Sequence, residues 1–152
     1  MSHEYTYDIS MFRDTFETRF TYLNGFLRNV SRFGSRPALF DPHSGRRWTY
    51  RELNAEANRL AQALRADGVG KNDVVMFTLL NSPEFVFCYL AAHKIGAVAC
   101  PVNYRQGAGE IALVIDDSTP KAFIYDAEFG ELSGGALDLC ESKPAIKIVV
   151  GA

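Results

Sequence analysis

The sequence lacks the patterns that mark secreted, membrane-spanning and zinc-binding proteins. Its 152 residues include only three cysteines, Cys88, Cys100 and Cys140, and none of them forms a Cys-x-x-Cys pair. This odd, widely spaced set argues against a disulfide framework or a zinc site and favours a reducing, cytoplasmic setting. The first five residues show no basic region followed by an apolar run, so no signal peptide is expected. No segment approaches the ~18 consecutive apolar residues of a transmembrane helix.

Phosphate-binding loops and nucleophile motifs are also missing. Gly68–Asn72 resembles the end of a P-loop, but Arg65 stands where the first glycine belongs and Asn72 where Ser or Thr belongs. The segment is also predicted to run from a helix into a strand, which leaves no helix N-terminus to meet a phosphate. No G-x-G-x-x-G follows a strand, and Ser133 within residues 130–135 lacks the G-x-S-x-G spacing.

Isolated titratable residues offer no alternative site. His3, His43 and His93 share no metal-ligand spacing, and His93 is predicted to be a packed or surface residue of a helix. Asp116 and Asp117 are adjacent, so their side chains diverge on a helix, and we interpret them as a solvated helix end. The sequence therefore predicts no catalytic, cofactor-binding or metal-binding residue in this chain.

The charge is small overall but unevenly placed. The net charge of −2 favours neither nucleic acid nor an anionic membrane as a general partner. Residues 1–71 hold 11 basic and 8 acidic side chains, a net +3, whereas residues 72–152 hold 5 and 10, a net −5. We interpret this asymmetry as two differently solvated faces.

An apolar stripe marks the N-terminal region. Its members recur at gaps of three and four residues, which is typical of one face of an α-helix. We predict that this face packs into the core. The alternative is an amphipathic surface-binding helix, although the segment lacks the Lys-rich face of a membrane binder. The stripe consists of Phe12, Phe16, Phe20, Leu23, Leu27 and Val30.

A hairpin and a capped helix are predicted next. Residues 38–41 and 47–50 are β-prone and flank a Pro-His-Ser-Gly turn, which indicates an antiparallel hairpin separate from the main sheet. Thr49 and Glu52 form a capping-box signature, which predicts a helix start at this point. Apolar residues at helical spacing follow, and Gly68 supplies the stop.

Strands and helices then alternate, which predicts an α/β fold with right-handed crossovers and a parallel sheet flanked by helices on both faces. The order 2-1-3-4 is expected, with the first strand central. Helices are predicted from Pro83 to Ile95 and from about Gly109 to Asp117, whereas residues 130–139 look poorly patterned. The predicted strands cover residues 73–80, 97–100, 121–125 and 146–150.

Several ordered segments between residues 37 and 126 resemble the opening of the adenylate-forming superfamily. That superfamily includes acyl-CoA synthetases, firefly luciferase and non-ribosomal peptide adenylation domains, and this sequence is most similar in style to acyl-CoA synthetases. No single segment is specific, but their order and spacing together are. The segments are residues 37–39, 48–54, 58–64, 68–75, 81–85, 94–98, 101–105, 111–117 and 121–126.

The resemblance implies a parent ligase that uses ATP, Mg²⁺ and coenzyme A. The resemblance implies that a carboxylic acid, in particular a fatty acid, forms an acyl-adenylate and then a thioester with the coenzyme A thiol. The family's Ser/Thr/Gly-rich loop, adenine-binding segment, hinge aspartate and C-terminal lysine have no counterpart in this sequence. We therefore expect residues 37–152 to be an incomplete first part of the large N-terminal domain, preceded by a helical segment at residues 1–36.

Two interpretations remain open beside an inactive ligase fragment. One is a natural short scaffold that acts as a binding or dimerisation module, and the other is an independent small nucleotide-binding domain, which the absent phosphate loops disfavour. The last predicted strand ends two residues before Ala152 with no covering helix. We expect apolar surface there and on the 12–30 helix to drive self-association.

Overall fold

The structure is a computed structural model that describes residues 8–151. A π-helical stretch, Arg13–Arg19, follows α1, and a short 3₁₀ turn, Ala127–Phe129, precedes α6. The helices are α1 (Ile9–Phe12), α2 (Tyr22–Phe33), α3 (Tyr50–Ala66), α4 (Pro83–Lys94), α5 (Ala108–Ser118) and α6 (Gly130–Leu139). The strands are β1 (Pro37–Phe40), β2 (Arg47–Thr49), β3 (Val74–Thr78), β4 (Val98–Pro101), β5 (Ala122–Asp126) and β6 (Ile146–Val150).

Four strands form a parallel sheet in the order β4-β3-β5-β6, which confirms the predicted 2-1-3-4 order with the first strand central. Met76 of β3 lies opposite Cys100 on one side and Phe123 on the other. Pro101 ends β4, where a proline is tolerated because β4 is an edge strand whose outer groups need no partner in the sheet.

Helices cover both faces of this sheet, as predicted. Val75 and Phe77 of β3 point to the face covered by α3 and α4, where they are fully buried with Leu64 and Cys88. Met76 points to the opposite face, where α5 and α6 supply the covering side chains. Each large apolar side chain buried in this way contributes about 1.5–3 kcal/mol of hydrophobic stabilisation. The residues that α5 and α6 bury there include Ile111, Ala112, Ile115 and Ala136.

The hairpin β1–β2 is antiparallel and separate from the main sheet, as predicted. The capping box at the start of α3 is also confirmed. The Glu52 backbone N–H donates to Thr49 Oγ1 at 3.3 Å, and the Thr49 N–H donates to Glu52 Oε2 at 2.8 Å. Trp48, buried at the end of the hairpin, packs with Leu53 and Leu90 and joins the hairpin to α3 and α4.

The prediction that the N-terminal stripe packs into the core is wrong: none of its six side chains is buried, and Leu27 is exposed like the three phenylalanines. Phe12, Phe16 and Phe20 are 41%, 54% and 65% exposed. The helix also breaks after Phe20, because Thr21 adopts an extended conformation and its hydroxyl accepts the Asn24 N–H to cap α2. Helical periodicity therefore identified the helical face but not what covers it.

Residues 130–139, which the sequence left without a pattern, form α6. Three glycines in this segment lower its intrinsic helix propensity, so tertiary packing determines the helix. Ala136 is fully buried against the sheet, and a Cβ on Gly135 would lie 3.4 Å from the Cβ of Ala108 in α5. The absence of a side chain at Gly135 therefore allows α5 and α6 to approach closely.

Within residues 8–151, none of the helices combines the length and the apolar character that crossing a lipid bilayer requires.

Candidate functional site at the carboxyl edge of the sheet

The topology points to the carboxyl edge of the sheet. The chain leaves β3 for a helix on one face, but it leaves β4 and β5 for helices on the other. Such a divergence opens a crevice beyond the strand ends, where open α/β sheets bind their ligands. The segments that enter this crevice are residues 79–82, 102–107 and 127–129.

Two aromatic rings meet across this edge. The Tyr104 ring, after β4, stacks on the Phe129 ring, after β5, with centroids 5.0 Å apart and planes 10° apart. Because β3 lies between β4 and β5, the stack connects the loops on either side of the β3 end. The Arg105 guanidinium lies 5.0 Å from the centre of the Tyr104 ring. The backbone N–H of Arg105 donates to Asn103 Oδ1 at 3.0 Å.

A cleft of about 410 Å³ opens beside this stack, between the hairpin turn and the start of α4. Asp41, Arg46, Glu84 and Tyr104 line it. The Asp41 carboxylate accepts hydrogen bonds from the Ser44 hydroxyl and from the backbone N–H of His43, at 3.0 Å, and these bonds hold its pKa below the usual value. The Arg46 guanidinium lies 4.7 Å from the Trp48 ring centre. The hydrogen bonds of the Asp41 carboxylate therefore stabilise the hairpin turn and leave Asp41 without a predicted role in ligand binding.

Two buried hydroxyls lie on the α5–α6 side of the sheet. Thr78 ends β3 and Ser133 lies in the first turn of α6, and both are fully buried. Neither hydroxyl oxygen has a hydrogen-bond partner among the described residues. An unpaired buried hydroxyl lowers the stability of the folded state by about 1–3 kcal/mol. Thr78 and Ser133 are therefore the two places in the described core where a buried polar side chain destabilises the fold.

The P-loop-like segment does not fit a phosphate. The Gly70 N–H donates to Asp73 Oδ2 at 2.8 Å, and Lys121 Nζ donates to the same oxygen at 3.0 Å. These bonds hold the pKa of Asp73 below its usual value, with the Gly70 bond as the larger cause. Since a carboxylate already occupies the donors, the segment offers no cradle for ATP.

The described residues also offer Mg²⁺ no ready ligand set. Among residues 8–151, no group of three or more His, Cys, Asp or Glu side chains is placed to hold a metal ion. His43 lies on the hairpin turn, and His93 lies on α4, where its ring packs 4.6 Å from that of Tyr89. His3 falls outside the described residues. Asp116, interpreted above as solvated, instead accepts the Ser142 N–H at 2.7 Å and links α5 to the segment before β6.

A family profile described as "AMP-binding enzyme" matches residues 26–151. The chain belongs to this family. The match includes all four strands of the parallel sheet and the hairpin, and therefore spans the whole candidate crevice. The family resemblance expected from residues 37–126 is confirmed.

Relatives with curated functions include acyl- and aryl-CoA ligases. A 3-hydroxybenzoate/4-hydroxybenzoate–CoA ligase of Thauera aromatica is 43% identical over 100 residues, which is 66% of this chain and 19% of that protein. The long-chain-fatty-acid–CoA ligase FadD13 of Mycobacterium tuberculosis is 42% identical over 90 residues, which is 59% of this chain and 18% of that protein. The matched region thus spans about a fifth of these relatives.

A solved structure supports the same assignment. The inhibitor-bound N-terminal domain of FACL13 from Mycobacterium tuberculosis superimposes with a TM-score of 0.76 and 32% identity, over 82% of this chain and 32% of that one. The α/β architecture with helices on both sheet faces is therefore that of the N-terminal domain of acyl-CoA ligases.

Sequence reasoning missed the features that define this edge. Tyr104 and Phe129 lie 25 positions apart, and no local pattern links them. Their contact depends on the crossover that places β4 and β5 on either side of β3. Thr78 lies inside the predicted strand at residues 73–80, where nothing in the sequence marks its hydroxyl, and Ser133 lacks the spacing of a nucleophile motif.

Proposed function

We propose that this chain is part of an ATP-dependent carboxylic acid–CoA ligase. The match of residues 26–151 to AMP-binding enzymes carries this proposal, since the named relatives join aromatic or fatty acids to coenzyme A. The reaction has two steps. The carboxylate attacks the α-phosphorus of ATP, which gives an acyl-adenylate and pyrophosphate. The coenzyme A thiol then displaces AMP and forms the thioester.

Within this proposal, the described residues act as scaffold. The sheet and its helices hold the carboxyl-edge loops in place, and the donors that ATP, Mg²⁺ and coenzyme A require come from other parts of the parent enzyme. The supporting observation is that the nearby charged groups are engaged locally. Asp126 Oδ1, for example, accepts the Glu128 N–H at 3.0 Å, and Asp41 Oδ1 accepts the His43 N–H at 3.0 Å.

We further propose a fatty acid as the parent's substrate. FadD13 supports this choice, whereas the hydroxybenzoate ligase supports an aromatic acid. A cytoplasmic location is also proposed, and it is supported by three free cysteines. The division of the chain at residues 36 and 37 stays a prediction.

Activity measurements separate these proposals. The purified 152-residue chain is expected to show no ATP–pyrophosphate exchange with palmitate or with 3-hydroxybenzoate, and no tight Mg²⁺-dependent binding of ATP. The parent enzyme is expected to catalyse exchange with one of the two acids. Exchange by the short chain would contradict the scaffold role, and a parent active only on the benzoate would contradict the fatty-acid assignment.

The alternative function is that of a natural scaffold that dimerises. For this alternative we propose that the chain pairs with a second copy along β6. In the described residues β6 pairs only with β5, and Lys147 is its one charged residue. Such an edge is a template for another strand. Ile148 and Val150 also line an apolar groove of about 260 Å³ with Leu60.

Sedimentation equilibrium at micromolar concentration tests this pairing. The wild-type chain is expected to dimerise, and Val149→Lys, which adds a charge to the exposed edge, is expected to be monomeric. Leu113→Lys is the matched control, because Leu113 is exposed on α5 and is not part of the β6 edge. A monomeric wild type, or equal loss of dimer in both variants, would refute pairing through β6.

A further inference from the structure

The N-terminal helices carry a strip of exposed phenylalanine and arginine side chains. Phe16 and Phe20 are 54% and 65% exposed, and their ring centroids are 5.7 Å apart. The Arg28 guanidinium lies 5.5 Å from the centre of the Phe20 ring, and its Nη1 donates to the Arg19 carbonyl at 3.2 Å. Arg28 therefore connects the exposed rings before the helix break to α2.

The strip continues along α2. Arg32 is four residues after Arg28, so the two side chains share one face of the helix. The guanidiniums of Arg32 and Arg36 lie 5.5 Å and 5.3 Å from the centre of the same ring, Phe33. We name Phe16, Phe20, Arg28, Arg32, Phe33 and Arg36 the arginine–phenylalanine strip.

The strip carries positive charge that no nearby carboxylate neutralises. Among the described residues, Arg28, Arg32 and Arg36 have no carboxylate within ion-pair distance. The acids of the preceding segment are already engaged, since Asp14 pairs with Arg19 at 2.8 Å and Glu17 lies 3.9 Å from Arg13. Because salt screens charges beyond ~10 Å, this local charge outweighs the net −2 of the whole chain at a surface.

We propose that the arginine–phenylalanine strip is a membrane-surface site that takes anionic lipid headgroups. Exposed aromatic rings enter the boundary between headgroups and acyl chains, and guanidiniums bind phosphate groups through paired N–H donors. The exposed rings of Phe16 and Phe20 and the guanidinium that lies beside Phe20 supply both contacts together. The amphipathic surface binder considered for residues 12–30 thus gains support from the exposure of its phenylalanines.

A second copy of the chain fits the strip less well. Two strips facing each other would bring six guanidiniums together with no carboxylate between them, and like charges at close range are unfavourable. An anionic bilayer offers the opposite charge and an apolar layer beneath it. The proposal does not depend on the ligase activity of the parent protein.

Vesicle co-sedimentation of the full 152-residue chain tests the proposal. Binding is expected to vesicles of phosphatidylcholine with about 30% phosphatidylglycerol, and at least about tenfold weaker binding to phosphatidylcholine alone. Phe16→Ser with Phe20→Ser, and separately Arg28→Gln, Arg32→Gln and Arg36→Gln together, should each reduce binding by at least about tenfold. Far-ultraviolet circular dichroism checks that each variant keeps its helix content.

Matched controls remove similar groups elsewhere. Leu113→Ser deletes an exposed apolar side chain on α5. The combined variant Arg65→Gln, Lys71→Gln and Lys147→Gln removes the same charge as the arginine variant from exposed positions outside the strip. Both controls should bind anionic vesicles like the wild type.

Three results would overturn the proposal. Binding that is equal for neutral and anionic vesicles would remove the role of the guanidiniums. Equal loss of binding in the strip variants and the controls would mean that general charge or hydrophobicity is responsible. A wild type that sediments as a dimer, and becomes monomeric in the phenylalanine variant, would make the strip a self-association surface.

Discussion

Lys121, the residue before β5, forms an ion pair with Asp73, the residue before β3, with 3.0 Å between Nζ and Oδ2. The same ammonium donates to the Gly68 carbonyl at 2.6 Å, and Asp73 also accepts the Gly70 N–H. One ion pair therefore fixes the turn between α3 and β3 against the neighbouring strand, at the amino edge of the sheet.

The first prediction concerns the pH dependence of this ion pair. The pKa of Asp73 is lowered in the folded state, so its contribution to stability is present above the unfolded pKa and is lost as the pH falls through the folded pKa. Asp73→Asn should lower the melting temperature at pH 7. The difference in melting temperature between the variant and the wild type should become smaller as the pH falls. Thermal melts from pH 7 down to about pH 2.5 measure this. A constant difference across that range would contradict it.

The second prediction concerns the left-handed residue after α5. Thr119 has φ of 42°, a conformation that is unfavourable for a β-branched side chain, and its N–H closes the helix on the Ile115 carbonyl at 2.8 Å. Thr119→Gly should raise the free energy of unfolding by about 0.5–1 kcal/mol. Urea denaturation measures this. Thr119→Ala, which keeps the Cβ, is the control and should gain much less.

The third prediction concerns the buried Thr78 hydroxyl. Valine has nearly the same shape, so Thr78→Val should remove the unpaired oxygen without a cavity and stabilise the fold by about 1–2 kcal/mol. Thr78→Ala should destabilise, because it also removes the methyl group. Urea denaturation of both variants provides the comparison. Destabilisation by valine would show that the hydroxyl has a hydrogen-bond partner in solution.

The fourth prediction concerns cysteine reactivity. Burial, with a smaller effect of the Glu84 charge, raises the pKa of Cys88 to about 12, and burial also raises the pKa of the half-buried Cys100. Because the thiolate is the reactive form, Cys88 should resist alkylation at pH 8 in the folded chain. Iodoacetamide labelling followed by peptide mass spectrometry should find Cys100 modified before Cys88. Denaturant should make the two rates similar, and fast labelling of native Cys88 would contradict its burial.

Much of the sheet could be predicted because its signals are local. The predicted strand at residues 73–80 and the predicted helix start at Pro83 each rest on neighbouring residues alone, and the structure has β3 and α4 at those places. Alternation of strands and helices then restricts the topology, because right-handed crossovers leave few arrangements. The 2-1-3-4 order followed from these local signals together.

What could not be predicted depends on contacts distant in the sequence. The glycines of α6 weaken any helical pattern, and the segment is helical because of tertiary packing, which includes the burial of Ala136 and the contact of Gly135 with Ala108. The Tyr104–Phe129 stack needs the relative positions of two loops. The exposure of Phe16 and Phe20 was mispredicted because apolar periodicity shows which residues share one face of a helix but not which other part of the protein packs against that face.

The loose attachment of the N-terminal helices has a consequence for how the molecule opens. No residue of α1, the π-helical stretch or α2 is fully buried, and this N-terminal arm contacts the rest of the chain through partly buried side chains such as Phe26 and through the ring contact of Tyr22 with Tyr89. Such a region exchanges its amide hydrogens through local opening, whereas β3 and β5 exchange only when the whole chain unfolds. We therefore expect the arm to open as a separate cooperative unit while β3 and β5 stay paired.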